Sequence, residues 1–278
     1  TLHAPYQQAT GDYGSWDARR AFGGVTKQVM QAHDPVAAVQ ATQLALKHAL
    51  AGQPGPVAVL FSHDALAGSV APDSQPALYP THFYLPPPPP PPDPAQIAAA
   101  AERILAARRP VIIAGNGVRI AQAYEPLRRF AEAAGLPVAT TAAGKGCFPE
   151  IHPLALGVFG TFGTAAANAC LGEADLVLVV GSKLSPSDTA WENPKLLDPR
   201  RQAFIQLDIE PRNASWNFPA ELVVLGDAAA ILDSLEAAVG TDAGGRGAAA
   251  ERRVAAHRAA QGYFDARQLF VFDSIDER

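Results

Sequence analysis

The sequence predicts an α/β fold: a doubly wound parallel sheet in a central domain, preceded by an incomplete α/β segment of a second domain. Three apolar runs carry the prediction: Pro110-Val111-Ile112-Ile113-Ala114-Gly115, Asp175-Leu176-Val177-Leu178-Val179-Val180-Gly181 and Ala203-Phe204-Ile205-Gln206-Leu207-Asp208. A short aliphatic run closed by Gly or Asp reads as a parallel strand buried on both faces, and the corner after it is where open α/β sheets place ligands. Between residues 95 and 240, helical patterns alternate with such strands, which is the rhythm of a parallel sheet. The third observation is a run of seven prolines at 86–92, followed by Asp93-Pro94. Such a run holds an extended polyproline II path and acts as a semi-rigid spacer. The expected organisation is an incomplete first domain at 1–84, a linker at 85–94, the central domain at 95–240 and connecting chain at 241–278. The proline run also suits a proline-recognising partner, although a linker needs none.

In the first segment, residues 1–27 read as loops, with at most one helix near 16–21. A helix over 35–51 follows from Val36, Val39, Leu44, Ala45 and Leu50 near helical spacing, with Asp34 as N-cap and Pro35 in the first turn. The turn Gly52-Gln53-Pro54-Gly55-Pro56 leads to a strand at 57–61. No companion strand is read before that helix. One helix with one or two strands buries no core, so this domain is expected to be a fragment or to be completed by another subunit.

The central domain reads as helix 95–107, strand 111–114, helix 121–134, strand 137–141, helix 164–171, strands 176–180, 204–207 and 222–224, and helix 228–239. Ile231, Leu232, Leu235 and Val239 share one face of the last helix. The basic stretch 246–267 reads as a solvated helix face or a loose tail.

Composition excludes several classes. Of 278 residues, 22 are Lys or Arg and 27 are Asp or Glu, a net charge of −5, which argues against a nucleic-acid footprint. No apolar run approaches the roughly 20 residues of a membrane span, and no signal-peptide pattern is read, so a cytoplasmic protein is expected. Two cysteines, Cys147 and Cys170, are too few for a disulfide framework or a zinc site and read as reduced, buried thiols. The histidines show no metal spacing, and no self-sufficient catalytic constellation is present.

The candidate binding residues lie at the strand-end corners. Gly115, Asn116 and Gly117 follow the first central strand, Gly144 opens a second glycine loop, and Gly160, Phe162 and Gly163 lie in a third that opens a helix. Glycine lets backbone approach a phosphate, and it equally serves a tight turn. Asp208 stands where an acid accepts hydrogen bonds from ribose, or caps the turn that follows it. Asp227, after Gly226, reads first as the N-cap of the last helix.

Taken together, Gly55-Pro56-Val57, Arg109-Pro110-Val111-Ile112-Ile113-Ala114-Gly115-Asn116-Gly117, the loop 144–149, Ala174-Asp175-Leu176-Val177-Leu178-Val179-Val180-Gly181 and Leu207-Asp208-Ile209-Glu210 resemble the thiamine-diphosphate-dependent enzymes of the acetolactate synthase, decarboxylase and carboligase group. The resemblance runs in consistent order from Tyr6 to Val239. It implies that 1–84 is the C-terminal part of a pyrimidine-binding domain, 95–240 a Rossmann-like central domain, and 241–278 the way to a pyrophosphate-binding domain. For the full-length parent it implies thiamine diphosphate and magnesium, decarboxylation and carboligation of a 2-oxo acid, and a homodimer or homotetramer.

Within that resemblance Gln7, in Tyr6-Gln7-Gln8, is similar to the family's Phe-Gln-Glu near the active-site channel. Lys27 is similar to a lysine at the channel wall; an ordinary surface lysine is the other reading. The family's catalytic glutamate would precede Thr1, and no Gly-Asp-Gly motif followed by Asn is present, so this chain alone is expected to be inactive. Family members carry FAD, ADP or nothing in the central domain. Where flavin-binding members resemble Arg-Phe-Asp-Asp-Arg, this chain has Lys183-Leu184-Ser185-Pro186-Ser187, which loses two acids and the final Arg and disfavours FAD. Lys183 joins the glycines, Asn116, Phe162, Asp208, Gly226 and Asp227 as a candidate cofactor contact. A stand-alone nucleotide-binding or structural central domain is the alternative.

Overall fold

The computed structural model describes residues 17–240 and 245–261. The chain forms two compact units, Thr1–Pro88 and Pro89–Arg278.

In the first unit, helix α1 (Ala18–Gly23) precedes strand β1 (Val29–Ala32), helix α2 (Pro35–Leu50), strand β2 (Ala58–Phe61) and helix α3 (His63–Ala67). Asp34 caps α2 as expected, its Oδ1 accepting from Ala37 N at 2.8 Å, and Ser62 caps α3 in the same way. Strand β1 corrects the sequence reading: a companion strand does precede the helix, and it pairs parallel to β2 with Met30 opposite Val59. It escapes notice because its four residues include Gln31 and only Met30 and Ala32 are buried. Helix α2 also departs from its predicted face. Ala45 is buried, but Leu44 and Leu50 remain 43% and 52% exposed, since two strands offer too little surface to cover them.

The second unit holds α4 (Pro94–Ala106), β3 (Pro110–Ala114), α5 (Asn116–Ile120), α6 (Tyr124–Ala134), β4 (Val138–Thr140), β5 (Ala155–Val158), α7 (Ala165–Gly172), β6 (Leu176–Val180), β7 (Ala203–Asp208), β8 (Leu222–Leu225), α8 (Ala228–Val239) and α9 (Arg246–Ala260). Its six strands run parallel in the order β5-β4-β3-β6-β7-β8, the doubly wound sheet that the apolar runs predict. Alternate residues divide the sheet between two cores. Ile112, Leu178 and Ile205 face α4, α6 and α8 through Ile104, Phe130 and Leu232. Val111, Val177 and Phe204 face the other way, toward Leu171 of α7 and Val254 of α9. Each such side chain contributes about 1.5–3 kcal/mol on leaving water, so both faces must be covered.

Three elements differ from expectation. Strand β5 lies within a glycine-bearing stretch that reads as loop, and it joins the edge of the sheet beside a bulge in β4. The helix read from residue 121 begins at Tyr124, because the separate turn α5 ends in Gln122 at φ 51°. Within the basic stretch, Arg246–Ala260 take the helical alternative, and the helix is not wholly solvated: Val254 is fully buried and Ala250 nearly so. Arginines fix the helix further, Arg253 donating to Pro110 O at 2.7 Å and Arg258 to His152 O at 3.0 Å.

Candidate functional site

The chain leaves β3 toward β4 and returns to β3's other side with β6, so the order in which strands are added reverses between β3 and β6. Ligand crevices of open sheets form at such a reversal, beyond the carboxyl ends. Here the corners are stitched to one another. Gly115 N donates to Val180 O at 2.8 Å, Gly117 N to Gly181 O at 2.9 Å and Gly181 N to Leu207 O at 2.9 Å.

The glycines are required by this stitching. A Cβ on Gly115 would lie 2.4 Å from Gly181 O, and one on Gly117 would lie 2.6 Å from Gly181 Cα. On Gly144 it would meet Ala114 O at 2.5 Å, on Gly160 Asp188 O at 1.5 Å, and on Gly163 Phe159 C at 2.3 Å. Close approach is real at all five positions, and the approaching group is protein backbone. Gly226 differs: its φ is +156°, and the nearest atoms are the flexible end of Ile231 at 3.5 Å.

The polar candidates are also engaged within the fold. Asp208 is buried, and its Oδ1 accepts from Glu210 N at 3.0 Å and Asn213 Nδ2 at 3.1 Å, the turn-capping alternative. Asp227 caps α8 through Ala229 N at 2.9 Å and Ala230 N at 3.2 Å. Asn116 accepts from Arg119 Nε at 2.9 Å inside α5. Lys183 Nζ stands 5.1 Å from the ring centroid of Trp216, a cation–π contact. Gln206, missed at the sequence level, ties the loops after β6 and β7 together. Its Nε2 donates to Ser182 O at 3.1 Å and Asn213 O at 2.9 Å, while its Oε1 accepts from Ser215 N at 2.8 Å.

What this edge does present to solvent is aromatic. Phe162, Trp191 and Trp216, on the loops after β5, β6 and β7, are 73%, 78% and 59% exposed. Trp191 sits in a left-handed stretch, Ala190, Trp191 and Glu192 having φ of 52°, 59° and 56°. Left-handed backbone costs about 1–2 kcal/mol per non-glycine residue, and buried Thr189 helps hold it, accepting from Glu192 N at 3.2 Å and donating to Ser185 O at 3.0 Å. The two tryptophans carried no periodic signal; an isolated Trp in a polar loop was the only cue.

In the first unit, Lys27 Nζ donates to His48 O at 2.6 Å, Ala51 O at 2.7 Å and Gln53 O at 2.9 Å. All three ammonium protons thus serve the carboxyl end of α2, which its dipole also favours. Gln7 lies outside the described residues. Burial pushes the Cys147 thiol up to about 12 and raises that of Cys170 as well, so neither is poised as a nucleophile. Among the described residues, no three His, Cys, Asp or Glu side chains converge as a metal site, and no helix is long and apolar enough to cross a membrane.

Residues 97–235, half of the chain, match the family described as thiamine pyrophosphate enzyme, central domain. The chain belongs to the thiamine pyrophosphate enzymes. The matched block runs from α4 to α8 and so contains all six strands of the larger sheet. The chain is 37% identical over 225 residues to the probable acetolactate synthase large subunit of Methanocaldococcus jannaschii, covering 80% of this chain and 37% of that protein. It is 33% identical over 221 residues to the acetolactate synthase large subunit of Corynebacterium glutamicum, covering 79% and 34% respectively. With the isozyme 3 large subunit of Escherichia coli it shares 30% identity over 188 residues, 67% of this chain and 32% of that one. The chain therefore spans about a third of the length of these curated relatives.

At the central-domain corners, the groups that the sequence offers to a ligand are engaged within the protein. Backbone donors of Gly115, Gly117 and Gly181 are paired inside the protein, and Asp208 is satisfied by its own turn.

Proposed function

We propose that the chain is part of an acetolactate synthase-like enzyme that uses thiamine diphosphate and magnesium to decarboxylate a 2-oxo acid and ligate the product to an acceptor. The observation that carries this reading is the reach of the similarity. An alignment of 225 residues exceeds the span 97–235, so the likeness to a probable acetolactate synthase extends beyond the central domain. That favours the whole enzyme over a stand-alone nucleotide binder. Residues 1–84 then belong to a pyrimidine-binding domain, 95–240 with the packed helix α9 to the central domain, and the chain beyond α9 to the passage toward a pyrophosphate-binding domain.

Thiamine diphosphate, when bound, supplies the electron sink for breaking the bond to the leaving carboxylate. The described residues supply scaffold: a rigid, doubly covered sheet whose strand-end loops are locked to each other. A homodimer or homotetramer in the cytoplasm completes the proposal. The test is turnover of pyruvate by the full-length protein with thiamine diphosphate, with and without Mg²⁺, following acetolactate. Magnesium-dependent product formation is expected; no turnover across a panel of 2-oxo acids overturns it.

A further inference from the structure

Where β3 begins, at the end of the sheet opposite the glycine corners, four arginines converge. Arg108 and Arg109 lead into the strand, and Arg246 and Arg253 lie two turns apart on α9. Together with Pro110 and Gly135 they line a cavity of about 240 Å³.

The charge there is poorly compensated. The carboxylate of Asp175 receives the backbone N–H groups of Arg108 and Arg109, each at 2.8 Å, and none of the guanidinium groups. Glu173 lies 4.0 Å from Arg109 and is shared with His257 at 3.6 Å. Arg253 donates to Pro110 O at 2.7 Å, and Arg246 to the carbonyls of Ile104 and Ala107, contacts that orient the guanidinium groups without neutralising them. The Nε of Arg253 is buried with no hydrogen-bond partner, and the Arg253 side chain also faces the Cys170 thiol, which carries no compensating charge. Among the described residues no carboxylate pairs with Arg108, Arg246 or Arg253. In a chain of net charge −5, this is a local concentration of positive charge that composition does not produce.

We propose that this cavity binds a small polyanion of diphosphate size, either free or as the phosphorylated end of a metabolite. Arg246 and Arg253 spend guanidinium donors on backbone carbonyls and add charge, while the exposed Arg108 and Arg109 carry the planar forked donors that match phosphate oxygens. Helix α9 starts beside the cavity, its N-cap Gly245 offers no side-chain acceptor, and its dipole adds positive potential. The volume of about 240 Å³ has room for a diphosphate. An anion there bridges the start of β3 to α9 and clamps the helix onto the sheet.

The test is calorimetric titration of the full-length protein, saturated with thiamine diphosphate and Mg²⁺, at low salt with inorganic pyrophosphate pre-equilibrated with Mg²⁺ at the cell's free concentration, the heat of the same injections into protein-free buffer being subtracted. One saturable site is expected, weakened at least tenfold by Arg108→Glu and by Arg109→Glu, both at exposed positions, and unchanged by Arg119→Glu on α5. Glycerol 3-phosphate and ADP, titrated in parallel, distinguish an esterified phosphate from the free ion by which binds more tightly. No saturable heat at millimolar pyrophosphate, or binding by the Arg108→Glu and Arg109→Glu proteins as tight as that of the parent protein, overturns the proposal. So does a response that chloride reproduces at equal ionic strength. Because the readout is binding, the result stands apart from whether pyruvate is turned over.

Discussion

Gly117 donates its N–H to the carbonyl oxygen of Gly181 at 2.9 Å, joining the corner after β3 to the corner after β6 where the strand order reverses. A methyl group on Gly117 would sit 2.6 Å from Gly181 Cα, and Gly181 itself has φ +60°. Overpacking of this kind costs about 1–3 kcal/mol. Gly117→Ala and Gly181→Ala are therefore expected to lower the urea midpoint clearly, Gly181→Ala by more because its backbone is also left-handed. Gly146→Ala, where no atom lies within 4 Å, is expected to cost about 1 kcal/mol from its φ of +86° alone.

Lys27 closes the carboxyl end of α2 through three carbonyls. Lys27→Met keeps the aliphatic stem and removes the donors, so a loss of about 1 kcal/mol in the first unit is expected. Hydrogen exchange at residues 47–51 should rise in the variant while exchange in β3 and β6 stays unchanged.

Asp198 has its carboxyl held well below the usual carboxylate range, first by the side chain and backbone N–H of Arg200 and then by Arg201. A depressed folded-state pKa means stabilisation present above the unfolded value of about 4 and lost as pH falls through the folded value. Asp198→Asn should therefore be less stable than the parent protein at pH 7, with the gap narrowing only below about pH 4. Urea titrations at pH 7, 5, 4 and 3 check the sign.

With its thiol pushed up to about 12 by burial, Cys147 stays unreactive at pH 8, and Cys170, also raised by burial, behaves alike. A thiol-specific chromogenic disulfide should show no fast phase from either residue in the native protein and full reaction after unfolding. A fast native phase that Cys147→Ser abolishes would contradict the packing described.

The parts of the fold that were legible share one property: their burial is complete and their residues are contiguous. Strands β3, β6 and β7 are apolar runs because both faces are covered, and Ile231, Leu232 and Leu235 mark α8 in the same way. Strands β1 and β5 were missed because Gln31 and Gly157 interrupt runs of only four residues. Helix α9 hides its apolar contact in one valine among alternating Arg and Ala. At the candidate site, glycine correctly signalled that something comes close, but glycine does not say what; at Gly115, Gly117 and Gly181 it is neighbouring backbone. Trp191 and Trp216 gave no pattern to read, since exposed residues answer to no period.

Helix α9 lies beyond residues 97–235, yet Val254 fills a place among Ala167, Leu171 and Val111. An expression boundary drawn at the end of the family match would strip a lid from one side of the sheet. The excised piece would carry an oily stripe into solution, and such stripes recruit each other. The boundary of this domain belongs past Ala260, and insolubility of a shorter piece would speak of its missing cover rather than of an unstable sheet.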